Sequence, residues 1–111
     1  MESFAGKIAV ITGGGTGMGR ELTYQLAEED CHVSICDVIE ENMEETFKEA
    51  SKEYPNVKIT KHLCDVSSEA DVMRFRDEVL EQQETDHINL LFNNAGIGAV
   101  SYTHLRAHET D

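Results

Sequence analysis

The stretch best suited to do chemistry is Thr12-Gly13-Gly14-Gly15-Thr16-Gly17-Met18-Gly19, eight residues with five glycines and no charge. Glycine accepts positive φ and, having no side chain, lets backbone N–H groups approach a ligand closely. Where a helix begins at such a turn, it adds unpaired N–H groups and a partial positive charge. Together these make a cradle for phosphate. Asp37 follows 18 residues after Gly19. A carboxylate at that distance accepts hydrogen bonds from a ribose 2′-hydroxyl and repels a 2′-phosphate.

Two familiar phosphate patterns fail in register. G-x-x-x-x-G-K-[ST] fits from Gly14 to Gly19, but Arg20 and Glu21 replace the phosphate lysine and the magnesium-binding hydroxyl. G-x-G-x-x-G started at Gly13 ends on Met18. The spacing that fits is T-G-x-x-x-G-x-G, on Thr12, Gly13, Gly17 and Gly19. A bland reading stands beside the functional one: a structural turn that binds nothing, and a solvated acid ending a strand. No Arg or Lys neighbours Asp37 in the sequence, so the functional reading favours NAD over NADP.

The elements that must position these residues follow from hydrophobic periodicity. Lys7–Ile11 is a short strand ending at the glycines. A helix is expected from about Met18 to Glu29, with Met18, Leu22 and Leu26 on one apolar face. Val33 and Ile35 mark a second strand ending at Asp37. Glu40 to about Glu53 reads as a helix whose stripe is Met43, Phe47, Ala50 and Tyr54, and Tyr54-Pro55-Asn56 breaks it. Val57, Ile59 and Leu63 alternate through a third strand ending near Asp65. Ser68 with Asp71 resembles a capping pair for a third helix, on which Val72, Phe75 and Val79 face inward. The run Ile88–Phe92 reads as a strand buried on both faces, ending at Asn93-Asn94-Ala95-Gly96.

The order β-α-β-α-β-α-β implies right-handed crossovers and an α/β fold with a parallel sheet. The glycine turn, Asp37, Asp65 and the asparagines all then fall at carboxyl ends of strands, where such sheets bind ligands.

Composition narrows the function classes. The 111 residues carry a net charge of -13, which argues against nucleic acid and against anionic membrane surfaces. No signal peptide or membrane span is visible. Cys31, Cys36 and Cys64 have no metal-type spacing, and a reduced, cytoplasmic setting fits them. His32, His62 and His87 read as surface or strand-edge residues.

Taken together, the glycine motif at 12–19, Asp37, Cys64-Asp65-Val66 and Asn93–Gly96 resemble the short-chain dehydrogenase/reductase family, over residues 7 to about 98. The resemblance implies a partial Rossmann fold of strand order 3-2-1-4. It implies hydride transfer between a nicotinamide cofactor, NAD rather than NADP, and a small alcohol or carbonyl. It implies that Gly13, Gly15, Thr16, Gly17, Met18 and Gly19 line the pyrophosphate and ribose, and that Asp37 holds the adenine ribose. Asp65 and Val66 would meet the adenine. Asn94, Ala95 and Gly96 would border the cofactor, with the asparagines also tying neighbouring strands together. The parent enzyme is expected to be a homo-oligomer.

The family's Ser and Y-x-x-x-K are not expected in this chain. Tyr54 and Lys58 have the spacing, but Pro55 and Asn56 break the helix it requires. Tyr102 and Arg106 substitute arginine for lysine. No catalytic and no metal-binding residue is therefore expected; His104 and His108 stand four apart without a third ligand. Residues 99–111 do not resemble the family and are expected to be a non-native tail on a family fragment spanning 1–98. Such a fragment would be inactive alone, and its fourth strand would form an aggregation-prone edge. The alternative is a non-catalytic nucleotide-binding or regulatory module.

Overall fold

The computed structural model describes residues 4–94. The elements are β1 (Ile8–Thr12), α1 (Gly17–Glu28), β2 (His32–Asp37), α2 (Glu40–Glu53), β3 (Ile59–Leu63), α3 (Glu69–Gln82) and β4 (Leu90–Asn93). The strands form one parallel sheet ordered β3-β2-β1-β4. This is the α/β, Rossmann-like arrangement that the alternation of strands and helices implies. The expected tail, Ala95 and Gly96, the Tyr102–Arg106 pair and the His104–His108 pair lie outside the described residues.

Period-two alternation divides the core into two. Ala9, Ile11, Val33, Ile35 and Ile59 face α1 and α2, where Leu26, Ala27, Met43 and Ala50 complete a buried cluster. Val10, Cys36 and Cys64 face α3, against Val72, Phe75 and Val79. Both faces of the central strands are thus covered, as a parallel sheet requires. Each fully buried large side chain contributes about 1.5–3 kcal/mol.

Ser68 caps α3, its hydroxyl accepting the Asp71 N–H at 3.2 Å. The Asp71 carboxylate turns away from the cap and accepts the Asp65 N–H at 3.1 Å. It thereby tethers the turn after β3 to the helix.

Four features differ from the sequence reading. Met18 is 74% exposed, because the first turn of α1 projects beyond the sheet; only Leu22 and Leu26 of that stripe pack inward. Leu63 is exposed, since it ends the outermost strand and no described element covers it. The residues of β4 are half-buried, not enclosed, because β4 is the other outer strand among the described residues.

The largest difference is His62, which is buried, not at the surface. It sits on the α3 face of the sheet, where Nε2 meets Thr60 Oγ1 at 2.8 Å and Nδ1 meets Glu78 Oε1 at 2.8 Å. Thr60 continues to Ser34, and Ser34 accepts from Gln83 Nε2 at 3.0 Å. A buried polar side chain is tolerated where its hydrogen bonds are met, and this chain of partners meets them. Burial pushes the His62 imidazole below its ordinary value, and Glu78 opposes that shift.

Candidate functional site

The carboxyl ends of β1, β2 and β3 surround a cavity of about 320 Å³. Its walls are Gly13, Thr16, Cys36, Asp37, Val38, Cys64, Asp65, Val66 and Asn94. Six of the residues singled out from the sequence therefore meet in one space, although they come from four loops. Gly15, Gly17, Met18 and Gly19 stand beside it in the turn from β1 into α1.

That turn is built by close backbone contact. Gly13 has φ +66° and Gly17 φ +56°, a region that favours glycine. Gly19 packs α1 against the turn so tightly that a Cβ there would lie 2.1 Å from the Gly13 carbonyl oxygen. The same carbonyl accepts the Asn94 side-chain N–H at 3.1 Å, which ties the end of β4 to the turn. Asn93 accepts the Thr12 hydroxyl at 3.0 Å and makes a second tie between the two strand ends. Thr16 is the N-cap of α1, but its side chain accepts no bond from the helix, and the first turn holds no acid. The partial positive charge of α1 is thus not neutralised by its own first turn.

Asp37 organises the neighbouring loop. One carboxylate oxygen accepts the Gly15 N–H at 3.0 Å; the other accepts the Val38 N–H at 2.7 Å and the Ile39 N–H at 3.3 Å. Asp65 makes a smaller version of the same device, with Oδ1 accepting the Ser67 hydroxyl at 2.6 Å and its N–H at 2.9 Å. The Ser67 hydroxyl and N–H hold the Asp65 carboxyl below its ordinary value. Val66 is buried beneath the turn.

Sequence reasoning missed Arg20. Its guanidinium reaches back over the turn to the Gly15 carbonyl at 2.6 Å, and Nε donates to Thr46 Oγ1 at 2.9 Å. Glu45 lies 3.0 Å from it and offsets its charge. The Gly15 peptide is thus held at both ends, by Asp37 at its N–H and by Arg20 at its carbonyl. An arginine directly after the glycine motif was visible in the sequence, but its five-residue reach backwards was not.

Tyr54 and Lys58 are not brought to this site. Tyr54 follows α2 and packs into the core, and Lys58 precedes β3, at the amino end of the strands. The Lys58 ammonium bonds the Gln82 carbonyl and Glu84. Among the described residues no cluster of three His, Cys, Asp or Glu side chains could hold a metal, and no helix is long and apolar enough to cross a membrane.

A parallel sheet of this order with a glycine turn, an acid and asparagines at its carboxyl ends defines a dinucleotide-binding class of fold. The family model for short chain dehydrogenase matches residues 7–111, and the chain belongs to that family. Human epidermal retinol dehydrogenase 2 is 36% identical over 96 residues, a match covering 86% of this chain and 30% of that protein. A short-chain dehydrogenase/reductase from Burkholderia phymatum, solved in complex with NAD, superposes with a TM-score of 0.88 at 26% identity. That match covers 98% of this chain and 46% of the other. The NADPH-dependent 3-quinuclidinone reductase of Rhodotorula rubra superposes with a TM-score of 0.72 at 28% identity, covering 80% of this chain and 32% of the other. The chain thus spans about 30% of the length of the retinol dehydrogenase it matches.

Proposed function

We propose that this chain supplies the adenosine and pyrophosphate grip of an NAD-preferring oxidoreductase, which moves hydride between nicotinamide and a small alcohol or carbonyl. The observation that carries the reading is the convergence of Gly13, Thr16, Asp37, Asp65, Val66 and Asn94 on one cavity. In this reading the N–H groups from Gly17 to Gly19 and the α1 dipole hold the pyrophosphate. Gly13 and Gly15 let it approach, and Met18, exposed at the rim, covers the ribose side. Asp37 takes the adenine ribose hydroxyls. Asp65 and Val66 border the adenine, and Asn94 holds the turn in place.

The cofactor, when bound, would accept or donate the hydride; the described residues only bind and orient it. Among the described residues no tyrosine or lysine lines the cavity, and the reading assigns this chain nucleotide binding and no turnover of its own. The three free cysteines favour a reducing, cytoplasmic compartment.

Asp37 sets the cofactor preference. Its carboxylate repels a 2′-phosphate, and the charge of Arg20, which holds the same turn, is offset by Glu45. Calorimetry with NAD, NADP and AMP tests this. NAD is expected to bind more tightly than NADP, and Asp37→Ala is expected to narrow the gap. NADP binding more tightly to the unmutated chain would refute the assignment.

A further inference from the structure

Cys31, Cys36 and Cys64 are all buried and all free. Cys31 belongs to the cluster facing α1 and α2, whereas Cys36 and Cys64 share the cluster facing α3. Cys36 pairs in register with His62, so Cys64, just past the end of β3, stands two residues further along the same face. Both residues line the cavity that Asp37 and Asp65 also border. The nucleotide grip uses neither thiol.

We propose that Cys36 and Cys64 form an oxidisable dithiol on the floor of this cavity, which a small peroxide closes to a disulfide. A cysteine sealed in apolar surroundings is inert. These two border open space that admits a molecule the size of hydrogen peroxide, although their own exposures are only 0% and 2%.

The pair also divides the labour. The neighbouring Cys36 thiol holds the Cys64 thiol below its ordinary value, with help from the Arg74 guanidinium and against burial and the Asp71 and Asp65 carboxylates. The Cys64 thiol and burial push Cys36 up. Burial pushes Cys31 up to about 11.

Cys64, past the end of β3 and at the cavity edge while Cys36 is enclosed within β2, is the attacking thiolate. Its sulfur displaces hydroxide from hydrogen peroxide, breaking the O–O bond and leaving a sulfenic acid. The Cys36 sulfur then attacks the Cys64 sulfur, forming the S–S bond. The departing hydroxide and the Cys36 proton leave as water. In sum, two thiols and one hydrogen peroxide give one disulfide and two waters.

Closure also moves the chain. A disulfide spans about 4.4–6.8 Å between Cα atoms, less than a two-residue diagonal across neighbouring strands. Cys64 lies outside β3, and its N–H bonds the Asp37 carbonyl at 3.0 Å. Drawing it towards β2 shifts Asp65 and Val66 and narrows the cavity. Loss of nucleotide binding on oxidation follows from this movement and rests on the proposed function.

The test exposes the reduced 111-residue chain to hydrogen peroxide, alkylates the remaining thiols under denaturing conditions and maps the peptides by mass spectrometry. The expected product is lighter by two hydrogen atoms, links Cys36 to Cys64 and carries an alkylated Cys31. Cys64→Ser is expected to leave Cys31 and Cys36 alkylated. Cys31 pairing in comparable yield, a Cys64 sulfinic acid beside a free Cys36, or resistance to peroxide that oxidises a free cysteine peptide would each overturn the proposal. A parallel sample saturated with NAD is expected to form the link several-fold more slowly. An unprotected link would keep the dithiol and refute its shared cavity with nucleotide.

Discussion

Replacing Gly19 with alanine tests the closest contact in the site. The new Cβ would stand 2.1 Å from the Gly13 carbonyl oxygen and 2.8 Å from Asn94 Nδ2, whereas ordinary contact begins at 3.4 Å. The first of these neighbours is backbone, so α1 or the turn must shift by more than about 1 Å, an overpacking that costs about 1–3 kcal/mol. Alanine recovers at most about 1 kcal/mol of helix propensity. With full recovery the net loss is up to about 2 kcal/mol, which lowers the folded-to-unfolded ratio by up to about thirtyfold. Displaced turn amides also lose charge-assisted bonds to pyrophosphate, each contributing about 1.5–3 kcal/mol, so NAD affinity falls at least about tenfold. Urea unfolding and calorimetry measure the two effects, with Glu21→Ala on the exposed face of the same helix as control. A Gly19→Ala chain that matches the parent within about 0.5 kcal/mol and binds NAD equally would refute the packing and the role drawn from it.

Arg20→Met removes the clamp on the Gly15 carbonyl and is expected to weaken NAD binding about tenfold; Arg20→Lys, lacking the planar fork, should restore little of it in the same titration. His62 has a folded-state pKa below its unfolded value, so between the two the unfolded chain binds more protons and stability rises with pH. The urea midpoint is therefore expected to drop as pH falls below about 6.5, and more steeply than in His62→Gln; parallel profiles would contradict this. Phe75→Ala, at the centre of the α3 cluster, should cost about 3–5 kcal/mol in the same unfolding assay.

The order of strands and helices along the chain was legible in the sequence because each element carries its own period, whereas the strand order 3-2-1-4 came with the resemblance to the family. Leu26, Val33, Ile35, Val72, Phe75 and Val79 all face the interior that their spacing implies. Parallel crossovers then place every strand end on one side, which is why residues as distant as Gly13, Asp37, Asp65 and Asn94 could be grouped before any coordinates. What stayed hidden depends on partners that no period announces. His62 reads as polar, yet its burial is satisfied by Glu78 from a helix 16 residues away. Met18 continues the stripe of α1 but lies in a first turn that the sheet does not reach. Arg20 gains its meaning only from where the glycine turn meets α2, and the Cys36–Cys64 pair from where the ends of β2 and β3 lie side by side.

The most direct test of the nucleotide site is a backbone amide NMR titration of the chain with NAD. The account predicts shifts concentrated at Gly13–Gly19, Asp37–Ile39, Asp65–Val66 and Asn94, with β3 residues Ile59–Thr60 and the α2 carboxyl end unmoved. Saturating NAD that shifts none of the glycine-turn amides, or shifts mainly those around Tyr54 and Lys58, would contradict it.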